Sequence, residues 1–272
     1  MEKFSVLMSV YYKEKPEFFD LSLESNLIKQ TLPPNEFVLV CDGELTQDLE
    51  AVIEKYRKLF PNVLKVYRKE NGGLGKALNF GLPKCSYPLV ARSDSDDVCS
   101  ADRFEKQVRF MEAHPEYAVT SGAIAEFSED PAETQRVKTN PITPEGAYKK
   151  CKVANPLNHM AVIFRKDVIL SLGSYQNVPL LEDYDLWTRT LLAGYKICNL
   201  PDVLVNARVG NGMVGRRSQP VQITGWMKIN KNMLEHGMIN HFTYVRNYIL
   251  ISGFVHMPSW IKNIIYSKVL RK

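Results

Sequence analysis

Residues 90–99 read VARSDSDDVC, and this stretch decides how the rest of the chain is interpreted. It begins as an apolar strand suited to a protein core and then places Asp94, Asp96 and Asp97 within four positions. Clustered carboxylates repel one another and are costly to remove from water, so a buried strand that ends in three of them suggests a bound cation. The alternative is a helix N-cap with solvated acids, because the SADRF segment that follows is itself a good helix start.

Two features of this stretch favour the cation. The acids follow an apolar strand, and their oxygen atoms are the ligands that Mg²⁺ and Mn²⁺ prefer. Such a cation commonly holds a diphosphate, with one or two carboxylates and the phosphate oxygens as its ligands. The stretch therefore predicts a site for Mn²⁺ or Mg²⁺ beside a phosphorylated ligand.

Short apolar runs alternate with helical patterns in the residues before this stretch. The runs are FSVLMSVYY, EFVLVCDG, VLKVYRK and YPLVARSD, and each has the composition of a buried strand. Strand–helix alternation with short connections predicts an α/β fold with a mostly parallel, Rossmann-like sheet flanked by helices. Ligands of such sheets lie beyond the carboxyl ends of the strands, where Tyr11, Asp42 and Asp94 all fall.

The chain shows no internal repeat and no Gly/Ser linker, so one continuous domain is expected. It would span 1–217 and divide into two halves near residue 100. The second half should contain a helix from Arg103, a strand through HMAVIFRKDVI, and a helix through EDYDLWTRTLLAGY. A helical segment at 218–272 would follow.

The overall composition indicates the cellular location of the protein. Five cysteines without a CxxC pair, in a chain of 272 residues and net charge +5, indicate reduced thiols and a cytoplasmic location. The N-terminus lacks the pattern of a signal peptide, and no run reaches the ~18 apolar residues of a membrane span. No nucleic-acid partner is expected.

Two further segments carry candidate groups. ENGGLGKALNFG, from Glu70 to Gly81, places glycines before a helix with Lys76 in its first turn, which suits either an anion site or a flexible loop. LLEDYDLWTRTL carries three acids in a first helical turn, where the helix dipole alone would stabilise them. Its apolar flanks favour a carboxylate positioned at a site instead.

Taken in order from about Phe4 to Arg217, these segments resemble the family 2 glycosyltransferases, which are inverting enzymes of the GT-A fold. SVLMSVYY resembles the opening strand of the family, VLVCDG its acidic strand end, and ENGGLGKALNFG its nucleotide-proximal loop. RSDSDDVCSADRFEKQ resembles the DXD segment, and LLEDYDLW the ED motif that carries the base. The sequence is most similar to bacterial enzymes that build capsular, exopolysaccharide or O-antigen repeat units.

The resemblance implies a metal-dependent enzyme of the hexosyltransferase type, in which 1–100 is the nucleotide-binding half of the domain and 101–217 the acceptor-binding, catalytic half. The donor would be a nucleotide-diphosphate sugar, with a UDP-sugar favoured, and the acceptor a saccharide, expected to be a lipid-linked repeat unit. It implies that Asp183 is the general base and that Asp94, Asp96 and Asp97 hold the metal. Donor contacts are implied for Val10, Tyr11, Asp42, Asn71, Gly72, Lys76, Asp94 and Ser95. Contacts with the acceptor or the diphosphate are expected from His159, Glu182, Trp187, Arg216 and Arg217.

The chain departs from the family pattern in three places. Cys41 stands where many members have a first aspartate, and Arg208-Val209-Gly210 lacks the histidine of an Arg-x-His motif. No QxxRW motif is present, which favours a single-transfer enzyme over a processive synthase. The alternatives are a nucleotidyltransferase, whose glycine-rich signature is absent after the first strand, and a non-catalytic carbohydrate-binding protein of the same fold.

The C-terminal residues form an apolar and basic pattern. Trp260, Ile261, Ile264, Ile265 and Val269 recur at helical spacing, and no acid accompanies the basic residues around them. This pattern fits a helix packed on the domain or on a second subunit of a homodimer. It also fits a helix lying on the inner face of the cell membrane, where tryptophan and lysine suit the headgroup layer.

Overall fold

The computed structural model describes residues 1–209 and 221–257 of the chain. Its first half alternates strands and helices as the sequence predicts. The elements are β1 Phe4–Val10, α1 Pro16–Leu27, β2 Glu36–Asp42, α2 Gln47–Leu59, β3 Leu64–Lys69, α3 Leu74–Gly81 and β4 Leu89–Ser93. These four strands are parallel and lie in the order β3-β2-β1-β4.

The side chains of β1 and β2 alternate between two hydrophobic cores, one on each face of the sheet. Leu7 and Val38 pack in the core beneath α3, whereas Met8 and Leu39 pack in the core beneath α1 and α2. Because both faces are buried, these strands are continuous apolar runs in the sequence. The polar residues that follow each strand are therefore left at one edge of the sheet.

The second half of the sheet mixes strand directions. Its elements are β5 Val98–Cys99, α4 Arg103–Ala113, β6 Tyr117–Phe127, β7 Arg136–Lys138, α5 Pro144–Cys151, β8 Ile163–Arg165, α6 Lys166–Ser171, α7 Glu182–Leu192 and β9 Lys196–Arg208. The sheet continues as β4-β8-β6-β9-β5, and β7 pairs with β6. β8 is antiparallel to both β4 and β6, whereas β9 is parallel to β6. The sheet is thus parallel from β3 to β4 and mixed beyond β4.

The strand expected through HMAVIFRKDVI is much shorter than the sequence suggests. His159–Ala161 forms a 3-10 turn, only Ile163–Arg165 pairs as β8, and α6 begins at Lys166. The Lys166 amide donates to the carbonyl of Pro88 at 2.8 Å, at the point where β8 leaves its β4 partner. The strand is short because neighbouring elements bury the rest of the apolar run. The 3-10 turn buries the apolar residues before β8, and α6 buries those after it.

Two helices follow the sheet: α8 Val221–Glu235 and α9 His241–His256. α8 packs on α7, with the ring of Trp226 centred 4.9 Å from that of Tyr184. α9 packs on α8 through Asn247, whose amide donates to Asn230 Oδ1 at 2.7 Å and to the carbonyl of Lys152 at 2.8 Å. Both helices fall in the C-terminal segment for which the sequence predicts helix.

The apolar and basic pattern around Trp260 lies outside the described residues, so the choice between a packed helix and a membrane-surface helix stays a prediction. Within 1–209 and 221–257, no helix combines the length and the apolar character needed to cross a bilayer.

Candidate active site at the carboxyl ends of the parallel strands

The acid cluster that follows β4 is the centre of the candidate site. Ligand oxygens of Asp94, Asp96 and Asp97 all lie within 4.8 Å of one another. Asp97 is buried, whereas Asp94 and Asp96 are partly exposed, so the cluster opens to solvent on one side. Three converging carboxylates at this spacing fit a divalent cation with oxygen ligands.

The electrostatics of the cluster support this interpretation. Burial, together with the neighbouring charges of Asp94 and Glu14, raises the pKa of Asp96 to about 7. Burial and the charges of Asp96 and Asp94 hold the pKa of Asp97 well above its usual range. The ionised forms of Asp96 and Asp97 therefore lack sufficient positive charge beside them, and a bound cation would supply it.

Arg92 is a component of the site that the sequence analysis missed. Its side chain is buried near the end of β4 and forms a two-point ion pair with Asp94. Nη1 lies 2.6 Å from Oδ2, and Nη2 contacts Oδ1. Its positive charge also acts on Glu182 and His159 across the site. A cation within an otherwise apolar strand, two residues before the acids, is the signal that could have identified it.

Two more residues complete the walls of the acid cluster. The main-chain amide of Arg208, the last residue of β9, donates to Asp97 Oδ1 at 2.8 Å. The Arg208 guanidinium stacks between Phe18, 3.6 Å from the ring centre, and Phe127, 4.5 Å away. On the other side, the Ser95 hydroxyl donates to Glu14 Oε2 at 2.5 Å. Glu14 was not predicted as a site residue, because nothing in the β1–α1 loop indicates that it approaches the acids.

Asp42, at the end of β2, holds the glycine-rich loop in place. Its Oδ1 accepts from Lys69 Nζ at 2.7 Å and from the Gly72 amide at 2.9 Å, and its Oδ2 accepts from the Gly73 amide at 2.7 Å. Asn71 donates from its side chain to the Asp42 carbonyl at 2.9 Å. The carboxylate thus orders the loop that was predicted to contact the donor, and Lys76 stands exposed in the first turns of α3 beside it.

Val10 and Tyr11 lie beside this loop at the end of β1. Val10 pairs with Cys41 of β2, and its side chain is buried in the core, so a donor could contact only its backbone. Tyr11 is exposed, with its ring 5.9 Å from that of Tyr12. Exposed aromatic rings at a strand end suit contact with a nucleoside.

Asp183 lies in the first turn of α7 and is oriented by a residue from a distant loop. Asn155 donates to its Oδ2 at 2.6 Å, and the Tyr184 amide donates to its Oδ1 at 2.8 Å. Beside it, burial raises the pKa of Glu182. A Cβ added to Gly75 would stand 2.7 Å from Glu182 Cγ, so the start of α3 and the start of α7 are in contact. The segment predicted to contact the donor and the predicted base are therefore neighbours.

Two other predicted or weighed positions, Asp185 and Trp187, have structural roles. Asp185 is buried and pairs with Arg189, Oδ2 to Nε at 2.8 Å, and Arg189 in turn donates to the carbonyls of Leu172 and Ser174. The expected contact of Trp187 with acceptor or diphosphate is wrong, because its side chain is 0% exposed and packs in the core. This agrees with the apolar helical face on which it lies.

His159 is partly buried beneath the site. Its Nε2 lies 3.0 Å from the Tyr175 hydroxyl, and its ring packs edge-on near Trp187. Burial and the Arg92 charge hold the pKa of His159 well below its usual range, so the ring is neutral. Arg216 and Arg217, expected to reach the diphosphate, lie outside the described residues.

Comparisons with known proteins agree with this geometry. The profile described as Glycosyl transferase family 2 matches residues 5–170. The amylovoran biosynthesis glycosyltransferase AmsE of Erwinia amylovora is 41% identical over 271 residues, covering 97% of this chain and 98% of its own. An Escherichia coli protein named UDP-Gal:alpha-D-GlcNAc-diphosphoundecaprenol beta-1,3-galactosyltransferase is 34% identical, covering 99% and 97% of the two chains.

A solved structure shares the fold. TarS residues 1–349 of Staphylococcus aureus, in complex with UDP-GlcNAc, superpose with a TM-score of 0.70 at 21% identity, covering 98% of this chain and 76% of that one. The family model and the two relatives decide against the nucleotidyltransferase and non-catalytic alternatives. The chain belongs to glycosyl transferase family 2 and is a glycosyltransferase.

Proposed function

We propose that the protein transfers one sugar per binding event, with inversion, from a UDP-sugar to a lipid-linked saccharide at the inner face of the cell membrane, in a reaction that requires Mn²⁺ or Mg²⁺. The observation that carries the proposal is the juxtaposition of two acidic groups. The acid cluster after β4 and the Asp183 carboxylate on α7 both act on the buried Tyr175, whose pKa is raised by burial and by the charges of Asp183 and Asp94. Arg92 pairs with Asp94 and acts electrostatically on Glu182, the neighbour of Asp183. One group suits a diphosphate-bound cation and the other an attacking hydroxyl.

The relatives support the choice of substrates. The E. coli galactosyltransferase is named for a UDP-Gal donor and a diphosphoundecaprenol-linked acceptor, and it spans nearly the whole of this chain. The TarS structure contains UDP-GlcNAc in a protein of the same fold. A UDP-sugar is therefore the first donor to test, and a lipid-linked saccharide the first acceptor.

Asp94, Asp96 and Asp97 would hold the cation. A divalent cation at this position supplies positive charge to the diphosphate as it departs from the sugar. The raised pKa values of Asp96 and Asp97 mean that these carboxylates gain from a nearby positive charge, which is the condition for a binding site. Arg92, buried behind them, fixes the orientation of Asp94.

Asp183 would act as the general base. Inversion by single displacement forms a bond from the acceptor oxygen to the anomeric carbon while the bond from that carbon to the diphosphate oxygen breaks. The hydroxyl proton passes to the Asp183 carboxylate. Asn155 and the Tyr184 amide, both hydrogen-bonded to this carboxylate, hold it in one orientation. Asp185 is unsuited to the role because its carboxylate is buried against Arg189.

The test compares Asp183→Asn with Asp185→Asn. Asp183→Asn should keep donor binding, measured as thermal stabilisation by UDP-sugars, and lower the transfer rate by about 10²–10⁴-fold, as expected for the loss of a general base. Asp185→Asn should instead lower the unfolding temperature and keep the transfer rate of the folded fraction. Near-normal transfer by Asp183→Asn would assign the base to Glu182 and contradict the proposal.

A further inference from the structure

The outer face of α9 is an exposed apolar surface that the catalytic site does not explain. Phe242, Ile249 and Leu250 are 77%, 63% and 61% exposed, and Val245 lies between them, also exposed. These residues follow one another at spacings of three, four and one along the 16-residue helix, so they share one side of it. Arg246 joins them in lining a shallow concavity.

Specific contacts hold the inner face of α9 against the protein, so the outer face has a defined orientation. Asn247 and Val255 are buried, and the Asn247 amide donates both to Asn230 of α8 and to the Lys152 carbonyl. α8 packs against α7, which carries Asp183. Lys152 lies three residues before Asn155, which orients that same carboxylate. The helix that carries the apolar face is therefore attached, through α8, to the helix that carries the predicted base.

The charges of residues 236–272 indicate what kind of surface would bind the apolar face of α9. From residue 236 to residue 272 the sequence contains no aspartate or glutamate, and its formally charged residues are Arg246, Lys262, Lys268, Arg271 and Lys272. A second copy of the face, or residues 258–272 laid over it, would bring cations towards Arg246 without an acid to pair with them. An anionic surface would complement both the apolar side chains and the positive charge.

We infer that the outer face of α9 docks on an anionic phospholipid surface. Phe242, Val245, Ile249 and Leu250 insert at the level of the headgroups, and Arg246 contacts lipid phosphates. The use of this docking in catalysis rests on the proposed lipid-linked acceptor, because docking would bring α7 and its base towards a substrate held in the membrane. The docking itself can be measured without any acceptor.

The experiment is co-sedimentation of the full chain with phosphatidylcholine vesicles, with and without phosphatidylglycerol. Wild-type protein should bind the anionic vesicles, and added salt should weaken the binding. Phe242→Ser/Ile249→Ser should lower the affinity at least about tenfold, because two inserted side chains are lost. Arg246→Gln should lower it about fivefold, and only on anionic vesicles.

The matched control is Ile28→Ser/Leu59→Ser, which removes two apolar side chains of similar exposure, 51% and 56%, from the opposite half of the sheet. It should bind vesicles as the wild type does. Equal binding by the α9 variant and this control, or no binding by the wild type at low salt, would overturn the inference.

Two other occupants of the face have distinct signatures. If a second copy covers it, the wild type should be a dimer by light scattering and Phe242→Ser/Ile249→Ser a monomer, with vesicle affinity unchanged. If residues 258–272 cover it, the same variant should lose thermal stability, again with vesicle affinity unchanged. Either result would overturn the inference. Transfer to a water-soluble acceptor without vesicles tests the proposed function separately, since the α9 variant should retain it.

Discussion

Asp42 and the acid cluster at 94–97 both follow buried parallel strands, yet the protein treats the two strand ends in opposite ways. At the end of β2, Lys69 and two backbone amides surround the carboxylate of Asp42. At the end of β4, burial and mutual repulsion raise the pKa values of Asp96 and Asp97. The first end is neutralised from within the chain and orders a loop, whereas the second brings together carboxyls whose ionised forms need a cation beside them. Position at a strand end thus marks a site residue without fixing its role.

The largest expected effect comes from Asp96→Asn. Transfer should fall at least about a hundredfold, because a cation ligand that stabilises the departing diphosphate is lost. The metal-free variant should unfold at the same or a higher temperature than the wild type, since a repelling charge has been removed. Its unfolding temperature should no longer rise on addition of Mn²⁺, as measured by differential scanning fluorimetry.

Asp102→Asn is the control for this experiment, because Asp102 is an exposed acid paired with Lys106 at 2.7 Å, just beyond the cluster. It should keep both activity and the Mn²⁺ response. Full turnover by chelator-treated wild-type enzyme would show that the excess charge at the end of β4 has another purpose, and the contrast between the two strand ends would fail.

Asp42→Asn should have an effect of intermediate size, and it should act on stability and donor KM more than on kcat. The asparagine side chain would be neutral, and its NH₂ group would face Lys69 or the glycine amides, which are themselves donors. The charge-assisted hydrogen bonds that hold the loop would therefore be lost. We expect the free energy of unfolding to fall by about 1–3 kcal/mol and the donor KM to rise about tenfold, with a smaller change in kcat. Urea unfolding and steady-state kinetics would measure these quantities.

The neighbouring Glu44→Gln, an exposed acid beyond the β2 end, should leave both stability and KM near the wild-type values. If Asp42→Asn lowered kcat with stability unchanged, Asp42 would act on the reacting groups and not on the loop.

The smallest expected effect is on the pH dependence of stability in the presence of chelator. The pKa of Asp96 is raised to about 7 in the folded protein, so the folded state favours its protonated form. Stability from this group is complete below its unfolded pKa of about 4 and is lost as the pH rises through about 7. The unfolding temperature of the chelated protein should therefore fall between about pH 5 and pH 8.

Mn²⁺ should reverse most of this fall, because the ionised form becomes the bound form. Asp96→Asn should show a flatter pH profile than the wild type in chelator. An equally steep profile in the variant would mean that another group causes the dependence.

The first half of the fold was predictable because three of its strands, β1, β2 and β4, are buried on both faces. Such strands are continuous apolar runs, and the polar residues Tyr11, Asp42 and Asp94 follow them directly, so sequence alone identified the β1, β2 and β4 ends as one edge. The second half was less predictable because β8 has three paired residues and lies antiparallel between β4 and β6. So short a strand leaves no periodic pattern to detect.

The sequence by itself determined the residue types, their order and the chemistry they allow: the three acids, the glycine loop and the acids that begin α7. Only the tertiary structure decided which partner each group has. It paired Arg92 with Asp94, Asn155 with Asp183 and Asp185 with Arg189, and it buried Trp187 in the core. The physical reason is that local pattern reports burial and periodicity, whereas the hydrogen-bond and charge partners of a side chain come from distant elements that the fold brings together.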